Sequence, residues 1–439
     1  MNGDRHGALD ARPEAVGRPA TFPLVEPTFF RSRWWIVFAS TLALIVSQGS
    51  INIFAFAVFL KPVTEDLGIG RGTFSSGMTL GTVLAALASP IVGRLFDRHG
   101  IRSVLLCGIV LFAIATAAMG LLQSGLVVFY GLFAFAGLTA TTQLPTGYAK
   151  AVSEWFDKER GLALGIAIAG AGLGVALIPP LAARLIQSYG WRTAYVGLGI
   201  TIFLLAFAPI AAFMRDAHPR GRARRPADQQ EIPVPGLTAI EVIKGSWRFW
   251  ALVIVFLFVT TSVNGILTHI VAMLTDRGIP AGAATAALSA AGLAVIGGRV
   301  VAGYLLDRFF GRYVALFFFV CPMIGIALLA IGSIGYAPFI GTLLCGLAIG
   351  AELDFMAFFT SRYFGLSAFG EIYGYMMATL VAASGLGSYV MGLSYDLSHS
   401  YWWAFVIFEV LLAVACSLIA PLGPYRFPAQ SSPTRPELK

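Results

Sequence analysis

Charge is what this chain has least of. Only 12% of its 439 residues are Asp, Glu, Lys or Arg, against roughly 25% in an ordinary soluble domain. A water-facing surface cannot be made from so few ions, which excludes a soluble enzyme or adaptor of this length. Cysteine is scarce too: Cys107, Cys321, Cys345 and Cys416 all lie inside apolar runs without paired short spacing, so neither a disulfide framework nor a zinc site is written here. Nucleophile, base and orienting group do not occur together at workable spacing, so the chain is not expected to be an enzyme and no cofactor or metal is expected. The glycines Gly161, Gly165, Gly170, Gly172 and Gly174 echo a dinucleotide fingerprint. No strand precedes them and the run is apolar, so they read as sites of close helix packing.

Apolar length is what the chain does have. Hydrophobic residues make up 57% of it and the mean hydropathy is +0.79. They fall in runs near 34–60, 73–96, 103–122, 126–153, 161–188 and 192–214, then near 247–274, 282–306, 313–334, 338–361, 367–394 and 401–421. Each is long enough to cross roughly 30 Å of hydrocarbon as a helix. Strands of a membrane barrel would alternate polar and apolar, and these runs do not. The expected plan is a disordered cytoplasmic tail over 1–33, a six-helix bundle over 34–214, a cytoplasmic linker over 215–246 rich in Arg and Pro, a second six-helix bundle over 247–422, and a cytoplasmic tail over 423–439.

The net charge of +8 belongs to the loops. Of the 30 Lys and Arg, 24 fall on the side of the amino terminus and only Lys61, Arg71, Arg184, Arg192 and Arg277 on the other, with Arg299 alone inside a span. Short positive loops stay in the cytoplasm, so both termini are expected there, in the inner or plasma membrane of a cell. No basic face is left over for nucleic acid; the expected surroundings are the lipid bilayer.

The two halves repeat. Gly93 to Arg102, GRLFDRHGIR, matches Gly303 to Arg312, GYLLDRFFGR, at a shift of 210; Gly93, Asp97, Arg98 and Arg102 pair with Gly303, Asp307, Arg308 and Arg312. Glu154 to Asp157 matches Arg362 to Gly365 at 208, and Trp191 to Tyr195 matches the stretch around Trp402 to Phe405 near 210. Parallel six-helix repeats are a secondary-transporter architecture, with the substrate site between the halves near the bilayer midplane.

Polar residues inside spans should line that site, because facing lipid they are costly. They cluster in the first helix (Gln48, Asn52), the fourth (Gln143), the seventh (Asn264, His269) and the tenth (Glu352, Asp354). Arg299, about 7 Å from the midpoint of its helix at 1.5 Å per residue, needs an anionic partner. Two readings stand: a planar fork for a substrate carboxylate, or a structural ion pair to Glu352 or Asp354. Residues two apart point to different sides of a helix, so at most one of those acids faces Arg299 squarely. Candidate substrate contacts are Arg299, His269, Asn264, Asn52, Gln48 and Gln143, and candidate proton carriers Glu352 and Asp354. His269 has a bland alternative as a hydrogen-bonded packing residue.

Gly93, Asp97, Arg98, Gly100 and Arg102 after the second helix, with the weaker copy after the eighth, resemble the signature of the major facilitator superfamily. That resemblance covers about 34 to 421 and implies twelve transmembrane helices in two bundles, with the two loop motifs acting as a cytoplasmic gate. Gly297 to Arg308, GGRVVAGYLLDR, looks like the eighth helix of the oxalate:formate antiporters and monocarboxylate transporters, in which an Arg at the place of Arg299 meets the substrate carboxylate. Trp155 to Gly174 and Gly370 to Gly392 are similar to their fifth and eleventh helices, and His269 falls where some relatives place a substrate-facing residue. The chain departs at Val295, where animal monocarboxylate transporters carry an acid, and at Phe54, which matches their first-helix Lys. The expectation is a secondary transporter, working as a monomer, that moves a small organic anion such as a monocarboxylate with protons as candidate coupling ions. The alternative is an exporter of drugs or hydrophobic metabolites.

Overall fold

The computed structural model describes residues 32–156, 159–216, 236–331, 335–365 and 367–427. The tail over 1–31, linker residues 217–235 and the tail over 428–439 lie outside the described residues. Within them the chain is helical. The spans are α1 (Trp34–Leu67), α2 (Arg71–His99), α3 (Ile101–Leu121), α4 (Leu126–Trp155), α5 (161–189), α6 (191–213), α7 (Trp247–Asp276), α8 (Ala281–Leu306), α9 (Gly311–Ile331), α10 (Ala337–Phe364), α11 (Phe369–Ser398) and α12 (Trp402–Leu422).

α5 and α6 are two helices that follow directly on each other within the 43 residues Arg160–Ile202, meeting at a kink at Gly190. At 1.5 Å per residue that is about 65 Å, twice the hydrocarbon thickness. They serve as two spans because Gly190, at φ 78° and ψ 163°, takes a backbone conformation that a side chain disfavours. Between the halves, Ala239–Gly245 forms a short helix whose start is closed by reciprocal Thr238 and Glu241 hydrogen bonds.

The halves meet along two seams, α2 against α11 and α5 against α8. Small residues let the backbones approach there, as bilayer helices require. A Cβ on Gly292 of α8 would lie 2.5 Å from the Ala176 nitrogen of α5, and one on Gly392 of α11 would lie 2.7 Å from the Arg71 carbonyl oxygen of α2. Within the second half, Gly346 and Gly350 of α10 bring it onto α8, where added Cβ atoms would stand 2.8 and 3.0 Å from the Cα atoms of Ala291 and Val295. This close approach sets Asp354 of α10 beside Arg299. Large apolar side chains such as Leu87, Ile114, Val127 and Leu397 remain exposed, a surface suited to lipid.

Two helices are irregular where the halves face each other. α1 widens into a π-helical turn over Gly49–Ala55, a feature that recurs at functional sites. α4 is interrupted at Leu144, whose ψ of 147° is the extended conformation expected before Pro145.

Candidate functional site between the halves

These irregular segments open onto a cavity of about 350 Å³ lined by α1, α4, α5, α7, α8, α10 and α11. From the first half it receives Ser47, Gln48 and Ser50, all beside the π-helical turn, together with Leu144 and Pro145; from the second, Asn264, Arg299, Glu352 and Ser384. Irregular backbone at this depth is tolerated only where it lines such a space.

Arg299 faces the cavity with its side chain 24% exposed, and its Nε lies 3.7 Å from Asp354 Oδ2 and 3.5 Å from the Gly350 carbonyl oxygen. Both contacts use one edge of the guanidinium at long range. Among the described residues no partner meets its two Nη atoms, so the fork that could hold a carboxylate bidentately is available. Asp354 is not itself a lining residue. Glu352, two positions earlier, turns the other way: it is 3% exposed, lines the cavity and accepts a hydrogen bond from the Thr260 hydroxyl of α7. The two acids thus divide as their spacing predicts, one on Arg299 and one facing the cavity.

Asn264 reaches the cavity while its amide donates to the Thr260 carbonyl at 3.2 Å, and Gln48 also lines it. The structure does not bring the other candidate contacts there. Asn52 lines a separate cavity of about 30 Å³ inside the first half, which Gln48 borders as well. Gln143 is held inside its own half, accepting from the Tyr148 hydroxyl at 2.5 Å and donating to Thr142 at 2.9 Å. His269, fully buried, lies between α2 and α11, with Nε2 3.1 Å from Ser75 Oγ and 3.0 Å from the Ser388 carbonyl oxygen.

His269 belongs to a second constellation that sequence reasoning missed, at the end of the bundle remote from the termini. Arg71, the first residue of α2, is 8% exposed in its side chain and makes two bonds to Asp276 at the end of α7, at 2.5 and 3.1 Å. It also donates to the Tyr401 hydroxyl and lies 3.7 Å from the Tyr395 ring centroid. Lys61 of α1 adds a 2.9 Å bond to Asp276. Asp396 of α11 accepts from the backbone nitrogens of Arg71 and Gly72, both at 2.8 Å, so a carboxylate of the second half caps the amino terminus of a first-half helix, where the helix dipole favours it. Every one of these contacts crosses between the halves and closes this end.

Lys61 and Arg71 had read as topology signals only. A usable clue was present: Asp66-Leu67-Gly68-Ile69 recurs as Asp276-Arg277-Gly278-Ile279 at the same shift of 210, with Gly68 and Gly278 at φ 63° and 83°. The copies then diverge in partner. Asp66 pairs with Arg192 at 2.5 Å and with Trp191 at 3.2 Å in its own half, whereas Asp276 crosses to the other half.

At the end carrying the termini the recorded pairs stay within a half. Asp97 pairs with Lys150. The Arg102 nitrogen donates to Asp216 at 3.0 Å and its guanidinium to the Ala211 carbonyl at 2.7 Å. Arg308 lies 3.6 Å from the Tyr304 ring centroid, and Arg312 donates to the Tyr313 hydroxyl at 2.8 Å. Gly93 and Gly303 have open space where a Cβ would go.

Comparison with known proteins agrees with this architecture. A family model described as Major Facilitator Superfamily matches residues 40–388. An uncharacterised MFS-type transporter of Bacillus subtilis, YcxA, is 23% identical over 418 residues, covering 90% of this chain and 96% of that protein. The oxalate:formate antiporter of Oxalobacter formigenes is 26% identical over 397 residues, 88% of this chain and 90% of that one. A bacterial homologue of the human lysosomal transporter Spinster, solved in an inward-facing and occupied conformation, superposes with a TM-score of 0.67 over 89% of this chain and 96% of that chain, at 15% identity. Twelve apolar helices in two repeated halves, a cavity between them and a match across most of the length lead to one conclusion: the chain belongs to the Major Facilitator Superfamily and is an integral membrane transporter.

Proposed function

We propose that this transporter carries a small organic anion, a monocarboxylate, by alternating access and in symport with protons. The observation that carries the reading is Arg299, a cation inside a span whose fork faces the cavity between the halves and whose protein partner, Asp354, holds it only at 3.7 Å. A carboxylate arriving in the cavity competes with Asp354 for the guanidinium, and an intramembrane ion of this kind is retained for function rather than stability. Asn264 and Gln48 supply further hydrogen bonds. Glu352 is the cavity-facing carboxyl and therefore the proposed proton carrier.

The asymmetry of Lys and Arg supports placing both termini in the cytoplasm of an inner or plasma membrane, which makes the end closed by Arg71, Asp276, Lys61 and Asp396 the outer one. The state described is then closed outside. In the alternate state the outer pairs part and the motifs at Gly93, Asp97, Arg98 and Arg102, and at Gly303, Asp307, Arg308 and Arg312, latch the cytoplasmic end. A single chain holds the whole pathway, so the working unit is a monomer.

The test is uptake of labelled monocarboxylates into proteoliposomes, with and without an inward proton gradient, comparing wild type with Arg299→Ala. Gradient-stimulated uptake that disappears in the variant is expected. Uptake unaffected by the loss of Arg299 would sink the reading.

A further inference from the structure

The cavity is far larger and drier than a compact acid needs. A volume of about 350 Å³ falls in the range of pockets that hold whole drug-sized ligands, about 300–1,000 Å³. Its walls are mostly aliphatic and aromatic: Phe54, Ile168, Val295, Ile349, Met377 and Leu380 are among them. Its ionisable groups are only two, Arg299 and Glu352, and Arg299 is already partly neutralised by Asp354. One cation among two acids offers a place for one carboxylate. A dianion would bring a second charge that finds no second Lys or Arg among the lining residues.

We infer that the site is built for an amphipathic monocarboxylate: one carboxylate on Arg299 and an apolar body of about ten non-hydrogen atoms, such as an aryl-alkanoate or medium-chain acid, filling the space toward α5 and α11. Compact acids such as oxalate and lactate leave most of the apolar wall wet. The inference rests on the carboxylate reading of Arg299 above and adds to it what the rest of the molecule must be.

The experiment is equilibrium binding to the purified full chain in nanodiscs, using acetate, lactate, oxalate, butanoate, hexanoate, 3-phenylpropionate and the neutral 3-phenylpropionamide. Each buried methylene should tighten binding by a factor of about four, so hexanoate should bind about two-hundredfold tighter than acetate, and 3-phenylpropionate tighter than oxalate by a comparable factor. The amide should bind at least tenfold more weakly than its acid. Ala169→Phe, which puts a ring into the cavity wall, should lower the ratio of 3-phenylpropionate to lactate affinity at least tenfold. Equal affinities for oxalate, lactate and 3-phenylpropionate would overturn the amphipathic assignment while leaving the carboxylate reading intact. Equal affinities for 3-phenylpropionate and its amide would overturn the carboxylate reading itself, and the inference with it. An unchanged ratio in a folded Ala169→Phe protein would show that the apolar body does not sit here.

Discussion

Asp276→Asn is the most direct probe of what holds the halves together at the end remote from the termini, because Asp276 receives both Arg71 and Lys61 across the interface between halves. An exposed ion pair contributes about 0–1 kcal/mol, and breaking a fully buried one costs about 3–5 kcal/mol. The Arg71 and Asp276 side chains are 8% and 22% exposed, between those limits, so the substitution should destabilise the closure at this end by about 2 kcal/mol. Once the end opens both groups are hydrated and the substitution changes little. The whole difference therefore appears in the equilibrium, as a shift of about thirtyfold toward the open arrangement.

Spin labels at Leu126 and Tyr336 read this directly. Both positions are exposed, at 67% and 81%, and they stand at the same end of opposite halves. In Asp276→Asn the ratio of long to short label separations should rise about thirtyfold, and Arg71→Gln should produce much of the same rise. The double variant should shift the ratio by less than the two single shifts combined, as partners in one network do. A ratio within threefold of wild type in both single variants would refute the argument, since it would mean that the helix seams alone hold the end shut.

Three further outcomes follow from the same geometry. Arg299→Ala should raise KM for a transported carboxylate by about 30- to 5000-fold, the range for truncating one partner of a buried charge pair, while transport of a neutral analogue is unaffected; concentration-dependent uptake checks it. Glu352→Gln keeps an oxygen to accept the Thr260 hydroxyl but cannot release a proton, so counterflow exchange of substrate should persist while stimulation by a proton gradient is lost. Gly292→Val forces a side chain against the α5 backbone at Ala176 and should cost about 1–3 kcal/mol, read as a lower melting temperature, whereas Gly161→Ala, where a Cβ meets nothing within 4 Å, should leave it unchanged.

Much of this was legible in the sequence because the bilayer imposes it. A span must be long and apolar, so the helices announce themselves. An intramembrane cation must find an anion, so Arg299 and the acids of α10 could be read as a group before their helices were placed together, and the spacing of Glu352 and Asp354 foretold that only one would meet Arg299. Position along a helix is legible in this way; rotation about its axis is less so. Asn52 lies one turn from Gln48, and on a regular helix the two would share a face. Both do line the small cavity inside the first half, yet of the two only Gln48, just ahead of the π-helical turn over Gly49–Ala55, also lines the large one. Gln143 looked like a lining residue for its composition, but the break at Leu144 turns it toward Tyr148.

The closure at the end remote from the termini was hidden for a different reason. Charges at helix ends are expected for topology alone, so Lys61 and Arg71 carried no surplus information until Asp276 and Asp396 were seen opposite them. The repeat explains why the clue is faint. Duplication supplied an aspartate at the end of the first helix of each half, at Asp66 and Asp276, each closely followed by a left-handed glycine that turns the chain. Two identical copies would form two equivalent intrahalf pairs and hold nothing shut. The closure depends on the copies having diverged: Arg192 answers Asp66 in its own half, while the place of Arg192 in the second half is taken by Trp402, leaving Asp276 without that local cation and open to Arg71 and Lys61 from across the interface. The same divergence runs through the cavity, where every ionisable lining group comes from the second half. The first half contributes the irregular backbone and apolar wall against which that charged face works, so the fold follows from what the halves share, and the chemistry proposed for it from where they differ.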